Sequence, residues 1–477
     1  MFAATVTAAT LCGIAPDLAL AAGRPGDARP TGRSAGQASD PSVPPEPLIA
    51  VVSIADQHIE VFGPRGSVAR SRVSTGKPGF DSPTGVFSIL QRNRYHESNI
   101  YSNAPMPFMQ RLTWSGIALH QGNVPNYRAS HGCIRLPGGF AETMWGMGRI
   151  GMRVIVAPTG TSPVTFRHAK LPRPVYQSEG PSEQPALVRV AASTPTDAAA
   201  TSPRTLSPYA AAQARLARAT SAKAAADKAV KPALELATAR STDAQQASAA
   251  MRASAGILAE AEENLEFESL VMVNVQTEAA EEAVRARIRT AEAGVKAAAE
   301  ALDKIKVMEA AASDAAFAAA HAARDAQQAA EAAADEVAAA RKATSPLTVF
   351  VSRKTGQAYV RQGFAELYDG PVTISDADRP LGTHVYTAVE ETGPDGELRW
   401  VAVSVPTSGG DVVQRRKSEA STHDRASTSA EALERIELPE EVRKLFAERL
   451  WPGASLIVSD FGLGETGKGT DFVIVTK

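Results

Sequence analysis

The hydrophobic pattern divides the chain into blocks of different period. Leu48 to Ile54 is an apolar, β-branched run, and Ile59-Glu60-Val61-Phe62 follows it. Gly63-Pro64-Arg65-Gly66 reads as a turn, and Ser67 to Ser74 alternates roughly. Such a run, turn and alternation predict a strand meander. Gly76-Lys77-Pro78-Gly79 and Ser82-Pro83-Thr84-Gly85 are further turns, and Val86 to Leu90 resumes a strand. Gly116 to His120 predicts a short buried strand with His120 at its end. Gly139 to Met147 predicts a short helix, and Met152 to Ala157 a closing strand. Residues 47–158 therefore form a compact β-rich domain.

A different pattern occupies residues 207–343. Alanine dominates, charges recur every few residues, and no proline follows Pro232. Alanine has the best helix propensity, so this tract predicts long helices, with Pro232 as a helix start. Small residues allow close helix approach, so an antiparallel hairpin, an oligomeric coiled coil and a solvated single-helix spacer are all open. Leu265, Phe267, Leu270, Val271, Met272, Val273 and Val275 form its dense apolar patch, read as a bend or a contact. The recurring charges exclude a membrane span here.

Residues 346–477 return to β character: Leu347 to Ser352, Ala358 to Val360, Val372 to Ile374, His384 to Ala388, Trp400 to Val405, Ser455 to Ser459 and Phe472 to Val475. Residues 406–430 are polar and read as a loop, and Glu431 to Leu450 as helix. This block echoes the first. Pro47-Leu48-Ile49-Ala50-Val51-Val52-Ser53 aligns with Pro346-Leu347-Thr348-Val349-Phe350-Val351-Ser352. At the same offset Val73-Ser74-Thr75 falls opposite Val372-Thr373-Ile374. Pro83-Thr84-Gly85 resembles Pro380-Leu381-Gly382, and Gly151 to Val156 resembles Gly453 to Val458. The expectation is a degenerate second copy that binds, supports or gates, since it contains no cysteine.

Composition refines this picture at the linkers and the N-terminus. Residues 23–46 hold Gly, Pro, Ser, Arg and Asp with few large apolar groups, which predicts a tether. Residues 159–206, with recurrent prolines, read as an extended linker. Residues 1–22 are small and apolar, and Ala19-Leu20-Ala21 fits a signal-peptidase site, although no Lys or Arg precedes Arg24. An export signal with an incomplete basic start is the expectation, which places the protein in the periplasm or cell envelope. A net charge of −2 argues against general nucleic-acid binding. Residues 47–158 alone carry eleven Lys and Arg against five Asp and Glu, suited to an anionic polymer or simply a basic surface.

The chemistry concentrates in one stretch. Leu119-His120-Gln121-Gly122 is followed by Ser130-His131-Gly132-Cys133-Ile134-Arg135-Leu136-Pro137. Two of the eight histidines and one of the two cysteines lie there. Cleavage after Ala21 would leave Cys133 as the sole cysteine, which excludes an intrachain disulfide. Thiolate is the nucleophile, and a neighbouring imidazole is the usual means of producing it. The pattern reads as a cysteine acyl-transfer site. No second cysteine or carboxylate cluster accompanies the histidines, so neither metal nor cofactor is expected.

The string His120…Ser130-His131-Gly132-Cys133-Ile134-Arg135, with Ser82-Pro83-Thr84-Gly85-Val86-Phe87 before it, resembles the signature of the YkuD-type L,D-transpeptidases. The resemblance covers about residues 47–158, with a weaker echo in 346–477. Its interval from His120 to Ser130 is shorter than in many members, and Arg135 stands where many have asparagine. It implies a β-rich catalytic fold and peptidoglycan stem peptides as substrate. By motif position Cys133 is the nucleophile and His120 its proton acceptor. His131 shapes the loop, Ser130 orients an imidazole, and the backbone N–H groups of Gly132 and Cys133 are oxyanion donors. Arg135 binds a substrate carboxylate or forms an ion pair. Tyr127, Trp114 and Tyr95 either line the cleft or pack in the core.

The implied reaction is a 3→3 crosslink made through a thioester. A carboxypeptidase or hydrolase on the same chemistry, and a non-catalytic envelope scaffold, are the alternatives. The Ala-rich helices are candidates for self-association or protein contact.

Overall fold

The computed structural model describes residues 44–98, 103–178, 205–392, 396–406, 426–464 and 472–476. The expected export signal, most of the tether, the linker over 179–204 and the loop over 407–425 lie outside them.

The first β region begins with β1 (Ile49–Ser53), β2 (His58–Gly63), β3 (Gly66–Arg72) and β4 (Gly85–Ser88). A separate small sheet follows: β5 (Gln91–Asn93), β6 (Met109–Arg111), β7 (Ala118–Gln121) and β8 (Ile134–Leu136), in that order. Helix α1 (Gly138–Met147) leads to β9 (Arg153–Ala157). β1 lies between β2, antiparallel, and β9, parallel. Both central strands are buried on both faces, which accounts for their unbroken apolar sequences. One face packs with α1 and the small sheet around Phe87, Leu119, Ile134 and Met144.

Residues expected to be linker contribute β10 (Val164–Phe166) and β11 (Gln177–Ser178), the latter paired with β12 (Thr205–Leu206). Helices α2 (Pro208–Val273) and α3 (Glu278–Ala343) then form an antiparallel hairpin. Each is about 100 Å long at 1.5 Å per residue. Arg215 meets Glu336 at 2.9 Å, and Ser248 meets Glu309 at 2.8 Å. Buried Val284, Ala291, Ala298, Ala319 and Ala340 share one heptad position on α3, so small side chains line the seam. The single-helix spacer is thereby excluded for these residues. Pro232 is not the helix start: it lies inside α2, whose N-terminus is Pro208 capped by Ser207. The cap and N1 proline supply a start signal that Pro232 lacks. The apolar patch 265–275 reaches the hairpin turn, where Phe267, Leu270 and Val273 are exposed.

The second β region comprises β13 (Leu347–Ser352), β14 (Gln357–Gln362), β15 (Ala365–Pro371), β16 (Thr373–Ile374), β17 (Thr383–Thr392), β18 (Glu397–Ser404), α4 (Ser429–Glu434), β19 (Ile436–Glu437), α5 (Glu440–Glu448), β20 (Ser455–Ser459) and β21 (Ile474–Val475). The helix expected over 431–450 is two helices, because Arg435 ends α4 and Pro439 caps α5. The first sheet runs β21-β4-β9-β1-β2-β3, and the second β10-β18-β17-β20-β13-β14-β15. From β4 and from β17 onward the orders correspond strand for strand, with β13 and β20 parallel like β1 and β9.

The regions also trade strands. β10 pairs with β18 of the second sheet, and β21 pairs with β4 of the first. Their facing sides share a core that includes Val51, Val86, Ile155, Phe350, Val403 and Ile457. Ile474, in the last strand, is fully buried within it. No helix among the described residues is long and apolar enough to cross a membrane.

Candidate active site

Parallel pairing of β7 with β8 builds the site. Leu119 lies opposite Ile134 and His120 opposite Arg135. Side chains alternate along strands, so Leu119 and Ile134 enter the core while Ala118, His120, Cys133 and Arg135 face the other way. There they line a cleft of about 530 Å³. Its far wall comes from His96, Ser98, Ala104, Pro105, Met106 and Met109.

Cys133 is half-buried, and its Sγ lies 3.4 Å from the Gly116 carbonyl oxygen. Burial pushes the thiol pKa up, while a backbone hydrogen bond from Ala118 and the charges of Arg135 and Arg111 act against that shift. His120 is buried, and its Nδ1–H donates to the Gln121 carbonyl at 2.7 Å. That bond fixes the tautomer that leaves Nε2 as the acceptor. Burial lowers the imidazole pKa to about 4, with Arg135 and His96 adding to the effect and the Gln121 bond opposing it. Both shifts favour the uncharged forms at neutral pH, a thiol and a neutral imidazole.

The loop that carries Cys133 is held from two sides. The Ser82 hydroxyl donates to the Gly132 carbonyl at 2.7 Å and accepts from Gly76 N–H at 2.9 Å. The Ser130 hydroxyl donates to the Cys133 carbonyl and accepts from Gly132 N–H at 3.2 Å. Gly132 has φ +113°, and a Cβ there would approach Ile117 Cδ1 to 2.8 Å, so only glycine fits. Lys77 N–H donates to the Ser130 carbonyl at 2.9 Å, and Arg128 binds the Gly76 carbonyl at 2.7 Å and pairs with Asp81. The turn after β3 thus clamps the loop before β8.

Several expected roles change. Ser130 holds the Cys133 backbone and bonds to no imidazole among the described residues. The Gly132 N–H, expected as an oxyanion donor, is committed to Ser130. His131 is exposed and lies edge-on to Phe80, with ring centroids 4.7 Å apart. Arg135 forms no ion pair among the described residues and lines the cleft beside His120. Tyr127 and Trp114 neither line the cleft nor enter the core, being 67% and 48% exposed. Tyr95 is more exposed still. Trp114 instead stacks beneath Arg111 at 5.7 Å. The β6–β7 turn and the loop before β8 carry these rings outward.

The sequence reading missed His96, Arg111 and the clamp made by Ser82. His96 and Arg111 belong to a path between β4 and β7 with no clear alternation. Ser82 was visible in the turn motif, but its partner lies fifty positions away.

The structure of an L,D-transpeptidase from Mycobacterium smegmatis is 23% identical, with TM-score 0.22, over 23% of this chain and 58% of that one. An L,D-transpeptidase from Stackebrandtia nassauensis gives 22% identity and TM-score 0.23, over 24% and 57%. L,D-transpeptidase 1 of Mycobacterium tuberculosis gives 26% and 0.21, over 23% and 62%. The chain thus spans under two thirds of the length of each of these structures. No curated protein matches it. Residues 47–156, the segment that holds Cys133 and His120, match the YkuD family, the L,D-transpeptidase catalytic domain.

Proposed function

We propose that this protein is a peptidoglycan L,D-transpeptidase of the cell envelope that forms 3→3 crosslinks through a Cys133 thioester. The observation that carries this reading is that Cys133 and His120 line one cleft, His120 on β7 and Cys133 just before β8, within the family match. His120 Nε2 takes the thiol proton as Sγ attacks the carbonyl that follows the L-centre of diaminopimelate in a tetrapeptide stem. The amide bond to D-alanine breaks, and His120 returns the proton to the leaving amine. An amine of a neighbouring stem attacks the thioester, gives up a proton to His120, and expels the thiolate, which His120 then reprotonates. Gly132 N–H is engaged by Ser130, so the Cys133 N–H is assigned as the oxyanion donor. Arg135 binds a substrate carboxylate from its place beside His120.

The second β region is read as a degenerate copy without chemistry, supported by its matching strand order and its lack of cysteine. The α2–α3 coiled-coil hairpin is read as a spacer or contact arm. The test uses the full chain, since β21 completes the larger sheet against which the small sheet of the site packs. Incubated with a disaccharide-tetrapeptide and read by mass spectrometry, it yields a crosslinked dimer lacking one D-alanine, absent with Cys133→Ala. Tripeptide alone would make it a carboxypeptidase, and no turnover would remove the enzymatic reading.

A further inference from the structure

A second cavity, of about 600 Å³, lies where both β regions meet the base of the helical hairpin. It shares no lining residue with the catalytic cleft. Leu48, Ile150, Val337, Phe364, Trp451 and Pro452 give it apolar walls. Its cations are Arg149, Arg153, Arg341, Lys342 and Arg361, and no Asp or Glu lines it.

These cations differ in their commitments. Arg361 is held by Asp369 and Glu366. Arg341 and Lys342 lie in the last turn of α3, where the helix dipole already favours cations. Arg153 is buried and donates to the hydroxyls of Ser88 at 2.6 Å, Thr348 at 3.1 Å and Ser455 at 3.2 Å. Arg149 is half-buried and donates to the Glu46 carbonyl; burial lowers its pKa, and Tyr209 and Glu46 act against that shift.

An independent observation points to a ligand. Thr387, on β17, is 4% exposed and lines the cavity, and its Oγ1 has no hydrogen-bond partner. A buried hydroxyl left unpaired costs about 1–3 kcal/mol. Native proteins satisfy nearly all such groups, with protein, water or a bound ligand.

We propose that this cavity binds an amphiphilic anion, a carboxylate or phosphate carrying an acyl-sized apolar group. The head meets Arg149, Arg153 and the Thr387 hydroxyl, and the tail lies along Ile150, Phe364 and Trp451. The volume falls within the usual range for small-molecule sites, about 300–1,000 Å³. Residues 23–43 would be a poor occupant, because their three arginines outnumber their two aspartates and the cavity is cationic.

The test is thermal stability of the full chain titrated with octanoate, octyl phosphate, octyl glucoside and inorganic phosphate. Anything that binds the folded state alone raises Tm with concentration. The two octyl anions should raise Tm saturably, and whichever does so at lower concentration identifies the head group. Octyl glucoside and inorganic phosphate should need at least tenfold more. Thr387→Val keeps shape and should weaken octyl-anion binding about tenfold, the loss expected for a hydrogen bond to a charged group. Arg149→Gln, at a half-buried position, should do the same. No saturable shift with either anion would overturn the proposal, as would equal potency of octyl glucoside or inorganic phosphate, or variants that bind unchanged. A shift appearing only after removal of residues 1–43 would give the cavity to that segment and also overturn it. All readouts are independent of transpeptidation, so they stand whether or not the proposed activity does.

Discussion

In the first sheet the chain leaves β4 and uses residues 89–136 to build a separate four-stranded sheet; in the second it leaves β17 and folds back as β18. The site exists only in the first detour. Each region also holds a buried histidine, and the two differ instructively. His384 accepts from the Ser404 hydroxyl at Nδ1 (2.8 Å), and its Nε2–H faces the carbonyls of Leu381 (3.0 Å) and Ser427 (3.1 Å). Both its nitrogens are used within the fold. His120 uses Nδ1 alone, and its Nε2 has no hydrogen bond among the described residues. Burial lowers the pKa of both imidazoles. A depressed pKa therefore does not separate the two histidines; the ring nitrogen of His120 left uncommitted in a cleft does.

The widest separation between the regions should come from the reacting groups. Cys133→Ala should reduce crosslinking at least about a thousandfold in the mass-spectrometric assay, because no other thiol in the described residues can replace it. Its Tm should stay within a few degrees of wild type. His120→Asn should lower kcat/KM about 10²–10⁴-fold, the usual value of a positioned base. His384→Ala should leave turnover within about twofold and reduce stability by about 1–3 kcal/mol, since its partners lose their bonds. A large kinetic loss in His384→Ala would break the comparison.

Next in size is the strand exchange. Ile474 is fully buried between the two sheets. Ile474→Ala should cost about 2–5 kcal/mol in denaturant unfolding. Phe166, in the reciprocal strand β10, is only half-buried, so Phe166→Ala should cost less. If both changes were neutral, the two sheets would not depend on each other's strands.

The sequence showed most of the local elements and less of their partners. Apolar runs placed β1, β9, β13 and β20 within a residue or two, because strands buried on both faces leave continuous hydrophobic stretches. The motif placed Cys133, His120 and Arg135 on one site. It could not show that Phe472 to Val475 would join the other region's sheet, since pairing across hundreds of residues leaves no local periodicity. Residues 159–178 were read as linker for the same reason: β10 has three residues, and its order comes from β18. Tyr127 and Trp114 were placed near the cleft by proximity in sequence, yet turn geometry points them to solvent.

Titration should separate the histidines on a smaller scale. An imidazole with a pKa of about 4 in the folded protein and about 6.5 unfolded binds fewer protons in the folded state between those values. Stability must then fall as pH drops through that window, by at most about 3 kcal/mol from His120. His384 is shifted in the same direction and adds to the loss. Denaturant unfolding from pH 7 to pH 4 should show the decline, reduced in His120→Asn and further reduced when His384→Asn is added. A slope unchanged by either variant would mean that other groups carry it.

The smallest effect on turnover tests how the shared proline-glycine turn is held. In the first region the Ser82 hydroxyl ties that turn to Gly132, one residue from the nucleophile. In the second the Asp460 carboxylate accepts from Leu381 and Gly382 N–H, both at 2.8 Å, and pairs with Arg353, with no reactive loop attached. Ser82→Ala removes both bonds of a buried hydroxyl and should cost about 1–2 kcal/mol of stability. Because the Gly132 carbonyl loses its anchor, kcat should also fall about tenfold, with KM little changed, as expected when positioning rather than ground-state binding is lost. Asp460→Asn should cost similar or greater stability and leave kcat and KM as in wild type. Equal kinetic effects from the two variants would mean that the turn acts on turnover only through global stability, and that Ser82 has no positioning role.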